Sequence, residues 1–197
     1  MQHLKSQLTL LSCILVAMFS ASAVFCDDRS SPESATESLK FLKRGKPVES
    51  GSLTSTALQS YIDAIRTHPD FKSCVTRKNK NGDFYRLDYE KISSLIELEV
   101  CLFWSAQYYI GMPQMKAFFE SSGFTIDKTT VYPRSAMLRF GKDDDGVLLT
   151  GNMRSENIPN SLKSAIDHIL PPHSLSIGVL LDSDSRPIDT TAIFNRI

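Results

Sequence analysis

The sequence predicts an α+β fold, with N-terminal helices packed on an antiparallel sheet of about five strands and one helix between strands three and four. Three observations carry this. Apolar residues recur at helical spacing as far as Gly123. Beyond Gly123 the period shortens to the alternation of strands. Hydrophobic residues make up 42% of the 197 and charged residues 22%, which leaves enough apolar surface for a packed core.

The elements follow in order. Residues 1–23 have Lys5 early, an apolar run from Leu8 to Phe19, and small residues at Ala21 and Ala23. That is the layout of a secretory signal peptide cleaved between Ala23 and Val24. The apolar run is too short to span a bilayer comfortably, and no other stretch is long and apolar enough, so the mature chain is expected to have no transmembrane segment. Residues 24–52 are rich in Ser, Glu, Lys and Pro, and read as a disordered tail or linker. A single α+β domain is expected over residues 53–197.

Within that domain, "LTSTALQSYIDAIRTHPDF" is the first helix. Leu58, Ile62 and Ile65 share a face, Thr54 or Ser55 caps the start, and His68-Pro69 ends it. Asn81-Gly82 marks a turn, preceded by Arg77, Lys78 and Lys80. "DYEKISSLIELEVCLFWSAQYYIG" is a second helix, apolar around most of its girth and therefore central, with Asp88 as its N-cap. A third helix opens at Pro113 and closes at Gly123. "FTIDKTTVY", "SAMLRF" and "VLLTGNM" read as strands, the last two joined by a hairpin turn at "GKDDDG". "NIPNSLKSAIDHIL" returns to helical spacing, with Ile158, Leu162, Ala165, Ile166 and Ile169 on one side. "SLSIGVLLD" and "PIDTTAIFN" are the final strands, apolar on both faces and so placed centrally in the sheet.

Charge and cysteine usage narrow the function. Lys+Arg and Asp+Glu are equal at 22 each, so no net field draws the chain to nucleic acid or to an anionic membrane. An exported chain meets an oxidising compartment. Cys13 leaves with the signal peptide, and Cys74 with Cys101 is the natural disulfide. Cys26 is left over, free or paired with another chain. A lipid anchor through Cys26 is an alternative, disfavoured by the bulky Phe25 before it. No two cysteines have Cys-x-x-Cys spacing and no His stands in register with them, so no metal or cofactor site is assigned.

"LLDSDSR" carries Asp182-x-Asp184 after an apolar run, and resembles the opening motif of haloacid-dehalogenase-type phosphotransferases. The resemblance would make Asp182 a nucleophile and Asp184 a general acid. The Gly-Thr that normally follows is replaced by Ser185-Arg186, and a strand rather than a helix comes next. The expectation is an exposed hairpin turn over residues 182–186, joining strands Ser174–Leu181 and Pro187–Asn195. "GKDDDG" lacks the spacing of a phosphate-binding loop or a calcium loop. Glu97 and Glu99 point to different faces of their helix and cannot share a substrate. His168 or His173, with a carboxylate or Cys101, is the one hydrolase constellation available.

With no convergent catalytic set, the expected function is a secreted or periplasmic non-catalytic binding domain. Its partner is a protein, a peptide or a small apolar ligand.

Overall fold

The computed structural model describes residues 41–48, 54–77, 85–164 and 172–196. Residues 1–23, Ala23 and Val24 at the expected cleavage site, Cys26 and His168 lie outside them.

The fold class is α+β. Strands β1 (Leu42–Lys43) and β2 (Lys46–Pro47) form a tight antiparallel hairpin. Helix α1 (Ser55–Thr67) follows, capped by the Thr54 hydroxyl, which accepts a hydrogen bond from Ala57 N. The short helix α2 (Phe71–Cys74) runs into β3 (Val75–Arg77), which pairs with β4 (Tyr85–Leu87). Helix α3 (Leu95–Tyr108) is central and α4 (Met112–Ser121) follows it, with Pro113 in its first turn. The main sheet contains β5 (Thr125–Tyr132), β6 (Gly146–Arg154), β7 (Ser174–Leu181) and β8 (Pro187–Asn195), antiparallel and in sequential order. Between its strands lie two short helices, α5 (Arg134–Met137) and α6 (Asn160–Lys163).

The core lies between α3 and the inner face of the sheet. Leu98, Leu102 and Phe103 from the helix and Leu149, Leu175, Val179 and Ala192 from the strands are all buried in one hydrophobic cluster. Each large apolar side chain so buried contributes about 1.5–3 kcal/mol. Packing of α1 against α3, in addition to the sheet, explains why α3 is apolar around most of its girth.

Four expectations are corrected. First, residues 41–48 are not a linker. Phe41 and Val48 are 4% and 2% exposed, and Phe41 packs on Tyr61, Phe103 and Trp104. The turn that permits this is Arg44-Gly45, both at positive φ, the requirement of a two-residue hairpin loop. A Cβ on Gly45 would sit 2.3 Å from the Phe140 carbonyl oxygen, so only glycine fits. The compact unit accordingly begins at Lys40. Second, α3 starts at Leu95 rather than after Asp88. Ser94 is its cap, its hydroxyl accepting from Glu97 N.

Third, "SAMLRF" is helical, which leaves the main sheet four strands instead of five. Met137 and Phe140, three residues apart, both turn toward the outer face of the sheet, where Met137 packs with Leu180 and Ile188. A strand would have sent those two side chains to opposite faces. Fourth, β7 is interior but β8 ends the strand order. The apolar outward residues of this pair, Leu180 and Ile188, are covered by the α5 segment and not by a further strand.

Candidate functional site

The sheet and α3 bring a carboxylate into the core. Glu99 sits on the sheet-facing side of α3 and is 8% exposed. Its Oε1 accepts from Ala192 N at 2.9 Å. Its Oε2 accepts from Lys43 Nζ at 2.8 Å and from the Tyr61 hydroxyl. Lys43 also donates to the Thr190 carbonyl and lies 3.3 Å from Asp189 Oδ1. Burial, and then the charge of Glu99, push the Tyr61 phenol far above its ordinary range. Every polar atom of Glu99 is thus engaged by three separate elements, β8, the β1–β2 hairpin and α1. The arrangement holds these elements together. The sequence separates Glu99 from Glu97 by helix face but gives no sign of its partners.

The other acid of that helix, Glu97, faces elsewhere, as its spacing requires. Its Oε2 accepts from Ser93 N at 2.6 Å and lies 3.8 Å from His68 Nε2. His68 is the C-cap of α1 and 1% exposed, and neither ring nitrogen has a hydrogen-bond partner. Its carbonyl is held by Trp104 Nε1 at 2.8 Å. Beside it, Cys74 and Cys101 lie at disulfide distance, with Cα atoms 5.3 Å apart and no exposure of either residue. A bridge closing this 27-residue separation stabilises by about 3.5 kcal/mol in the chain-entropy picture. A bridged Cys101 offers no thiolate, so the Cys101 form of the hydrolase reading would first require the bridge to open. His173 is exposed just before β7, its backbone N–H donating to the Asn195 carbonyl.

Residues 182–186 join β7 to β8, which pair directly and antiparallel. The turn forms where the sequence places it, but Asp182 is not exposed. It is 5% exposed, and its Oδ1 accepts from Asp184 N and Arg186 N while Oδ2 accepts from Lys142 Nζ at 2.8 Å. Burial alone would raise this carboxyl. The Lys142 ammonium and the two backbone N–H groups outweigh it and hold the carboxyl below its ordinary range. Ser185 supplies the left-handed residue at φ 62°. All of these contacts build a turn.

The described residues also form a concave surface. A groove of about 570 Å³ runs between β4, the C-terminus of α4 and the start of α6. Arg86, Asp88, Glu90, Ser121, Asn160 and Ser161 line it. Serines replace a neighbouring strand along the edge of β4: Ser122 Oγ accepts from Leu87 N, and Ser121 Oγ donates to the Tyr85 carbonyl. Beneath them Tyr89 is tied on both sides, its hydroxyl donating to the Ser122 carbonyl and its own carbonyl accepting from Ser161 Oγ. The walls are therefore pre-organised, while Arg86, Glu90 and Asn160 are exposed. None of these residues is legible as a site in the sequence. They come from three segments that only tertiary packing gathers, and each taken alone is an ordinary surface polar residue.

No protein-family model, no curated protein and no solved structure matches this chain.

Proposed function

We propose that the chain is exported and acts as a non-catalytic binding domain, with the groove beside β4 as its ligand surface and an extended peptide segment as its ligand. The observation that carries the reading is the groove itself. It is concave, within the size range of ligand sites, and lined by hydrogen-bonding groups from several elements whose positions are tied by internal bonds. A cation at Arg86 and acids at Asp88 and Glu90 suit a polar, mixed-charge peptide better than a small apolar ligand. Export is supported by the Ala21-x-Ala23 pattern, by Cys74 and Cys101 at disulfide distance, and by the finding that no described helix is long and apolar enough to cross a membrane.

Titration of isotopically labelled protein with a pooled short-peptide library tests the binding reading. Amide shifts are expected to cluster at Arg86, Ser121 and Asn160, and Arg86→Glu is expected to abolish them. Shifts confined to another surface, or cleavage of the peptides seen by mass spectrometry, would replace it with a different site or with an enzyme. N-terminal sequencing of exported material tests the other half, with Val24 the expected first residue and Met1 the result that overturns export by cleavage.

A further inference from the structure

The groove does not use a second cluster, where the C-cap of α1 meets α2 and α3. His68 Nδ1 or Nε2, Cys74 Sγ and Cys101 Sγ all lie within 4.8 Å of one another. All three residues are at most 1% exposed, and both His68 nitrogens lack a hydrogen-bond partner. A buried imidazole with two unmatched polar atoms costs free energy unless it has some further partner. In the bridged state the sulfurs offer it little, because a disulfide is a poor donor to metals and a weak hydrogen-bond acceptor. In the reduced state the same three residues present two thiolates and an imidazole, the ligand types of zinc.

We propose that, when the Cys74–Cys101 bridge is open, His68, Cys74 and Cys101 form a three-ligand site for a divalent metal of the zinc class. The site is redox-gated, and the chain would be metal-bound before oxidation and metal-free after it. A small dithiol transfers two electrons to the bridge, becoming a cyclic disulfide and leaving two protein thiols. The metal then displaces one proton from each thiol, and two protons leave to solvent. Reoxidation of the two thiolates by a disulfide-bearing oxidant reforms the bridge and releases the ion. Glu97 Oε2, 3.8 Å from His68 Nε2, is placed to hold the ring by its second nitrogen, which leaves Nδ1 for the metal. Sequence spacing hides this site. Cys74 and Cys101 are 27 residues apart, and His68 reaches them only because α1, α2 and α3 converge.

The test uses the full chain carrying Cys13→Ser and Cys26→Ser, so that only the buried pair titrates. Protein reduced with a dithiol and freed of it without air is titrated with cobalt(II). One equivalent is expected to give thiolate-to-cobalt charge-transfer bands and the visible bands of a tetrahedral ion, both displaced by zinc. The oxidised protein is expected to give neither. His68→Gln should weaken binding by at least about tenfold, and Glu97→Gln by about tenfold, as loss of an outer-shell partner does. X-ray absorption on the cobalt-loaded parent needs no variant at the site, and should count two sulfurs and at least one nitrogen. An oxygen-only shell, absence of stoichiometric binding, or an unchanged affinity in folded His68→Gln would each overturn the proposal.

Discussion

Glu99 shows what one residue can require of its surroundings. A carboxylate on the buried face of α3 is tolerated because Lys43, Tyr61 and the Ala192 amide meet its two oxygens. Removing one partner leaves a charge in the core without its counter-ion, which costs more than the intact pair contributes. Lys43→Met is therefore expected to lower the unfolding free energy by about 3 kcal/mol, and pairing it with Glu99→Leu to recover part of that loss. Urea unfolding midpoints measure both; a Lys43→Met midpoint equal to the parent's would mean the pair carries no stability. Asp182 is a second case. The sequence reads it as part of an exposed turn, but it is buried and triply bonded. Asp182→Asn is expected to cost about 1–2 kcal/mol. Because its folded pKa is lowered, its contribution is fully present above about pH 4 and is lost as pH falls through the folded value. The variant should show a flatter acid limb in a plot of stability against pH, and an acid limb identical to the parent's would contradict the assignment.

Among the elements, the β1–β2 hairpin is the one that composition conceals. Its strands are two residues each, and four of the residues from Lys40 to Lys46 are basic, so local composition resembles a solvated linker. What makes it structural is long-range. Phe41 fills a gap between Tyr61, Phe103 and Trp104, and Lys43 reaches Glu99, 56 residues away. A chain beginning at Thr54 is thus expected to be much less stable than one beginning at Lys40, since it exposes core aromatic surface and strands Glu99. Circular dichroism melts of the two chains decide this, and equal melting temperatures would return residues 41–48 to the status of a tail. The central helix α3 behaves oppositely. Its apolar girth is legible without any partner, although its start is not, because Asp88 and Ser94 are both competent caps and the packing of Ile92 outside the helix selects the second.

At the scale of the whole molecule, three buried or half-buried phenols connect alkaline pH to global stability. Burial raises Tyr61, with Glu99 adding to it, and raises Tyr89; burial pushes Tyr109 up to about 12. These groups belong to α1, to the turn before α3 and to the C-cap of α3, so releasing them loosens much of the helical layer. A raised folded pKa contributes stability that is fully present below about pH 10 and is lost as pH climbs through the folded values. The expected result is that phenolate absorbance from part of the six tyrosines appears only together with loss of helical circular dichroism. Ionisation of all six before any change in helicity would show that these phenols are not held by the fold.

Sequence alone determined the features that rest on local periodicity and short-range chemistry. Helical spacing before Gly123 and alternation after it specify the α+β class, and the turn formers at residues 182–186 specify a β7–β8 hairpin. Cysteine arithmetic singles out Cys74 with Cys101. Tertiary structure alone decided the features that need residues far apart in the chain to meet. The burial of Phe41 and Lys43, the helical turn that seats Met137 on the sheet, the groove walled by β4, α4 and α6, and the approach of His68 to the two cysteines all belong to this second kind. The reason is physical: a polar or basic residue carries no local signal of burial, because the free energy that buries it comes from a partner the neighbouring sequence does not contain.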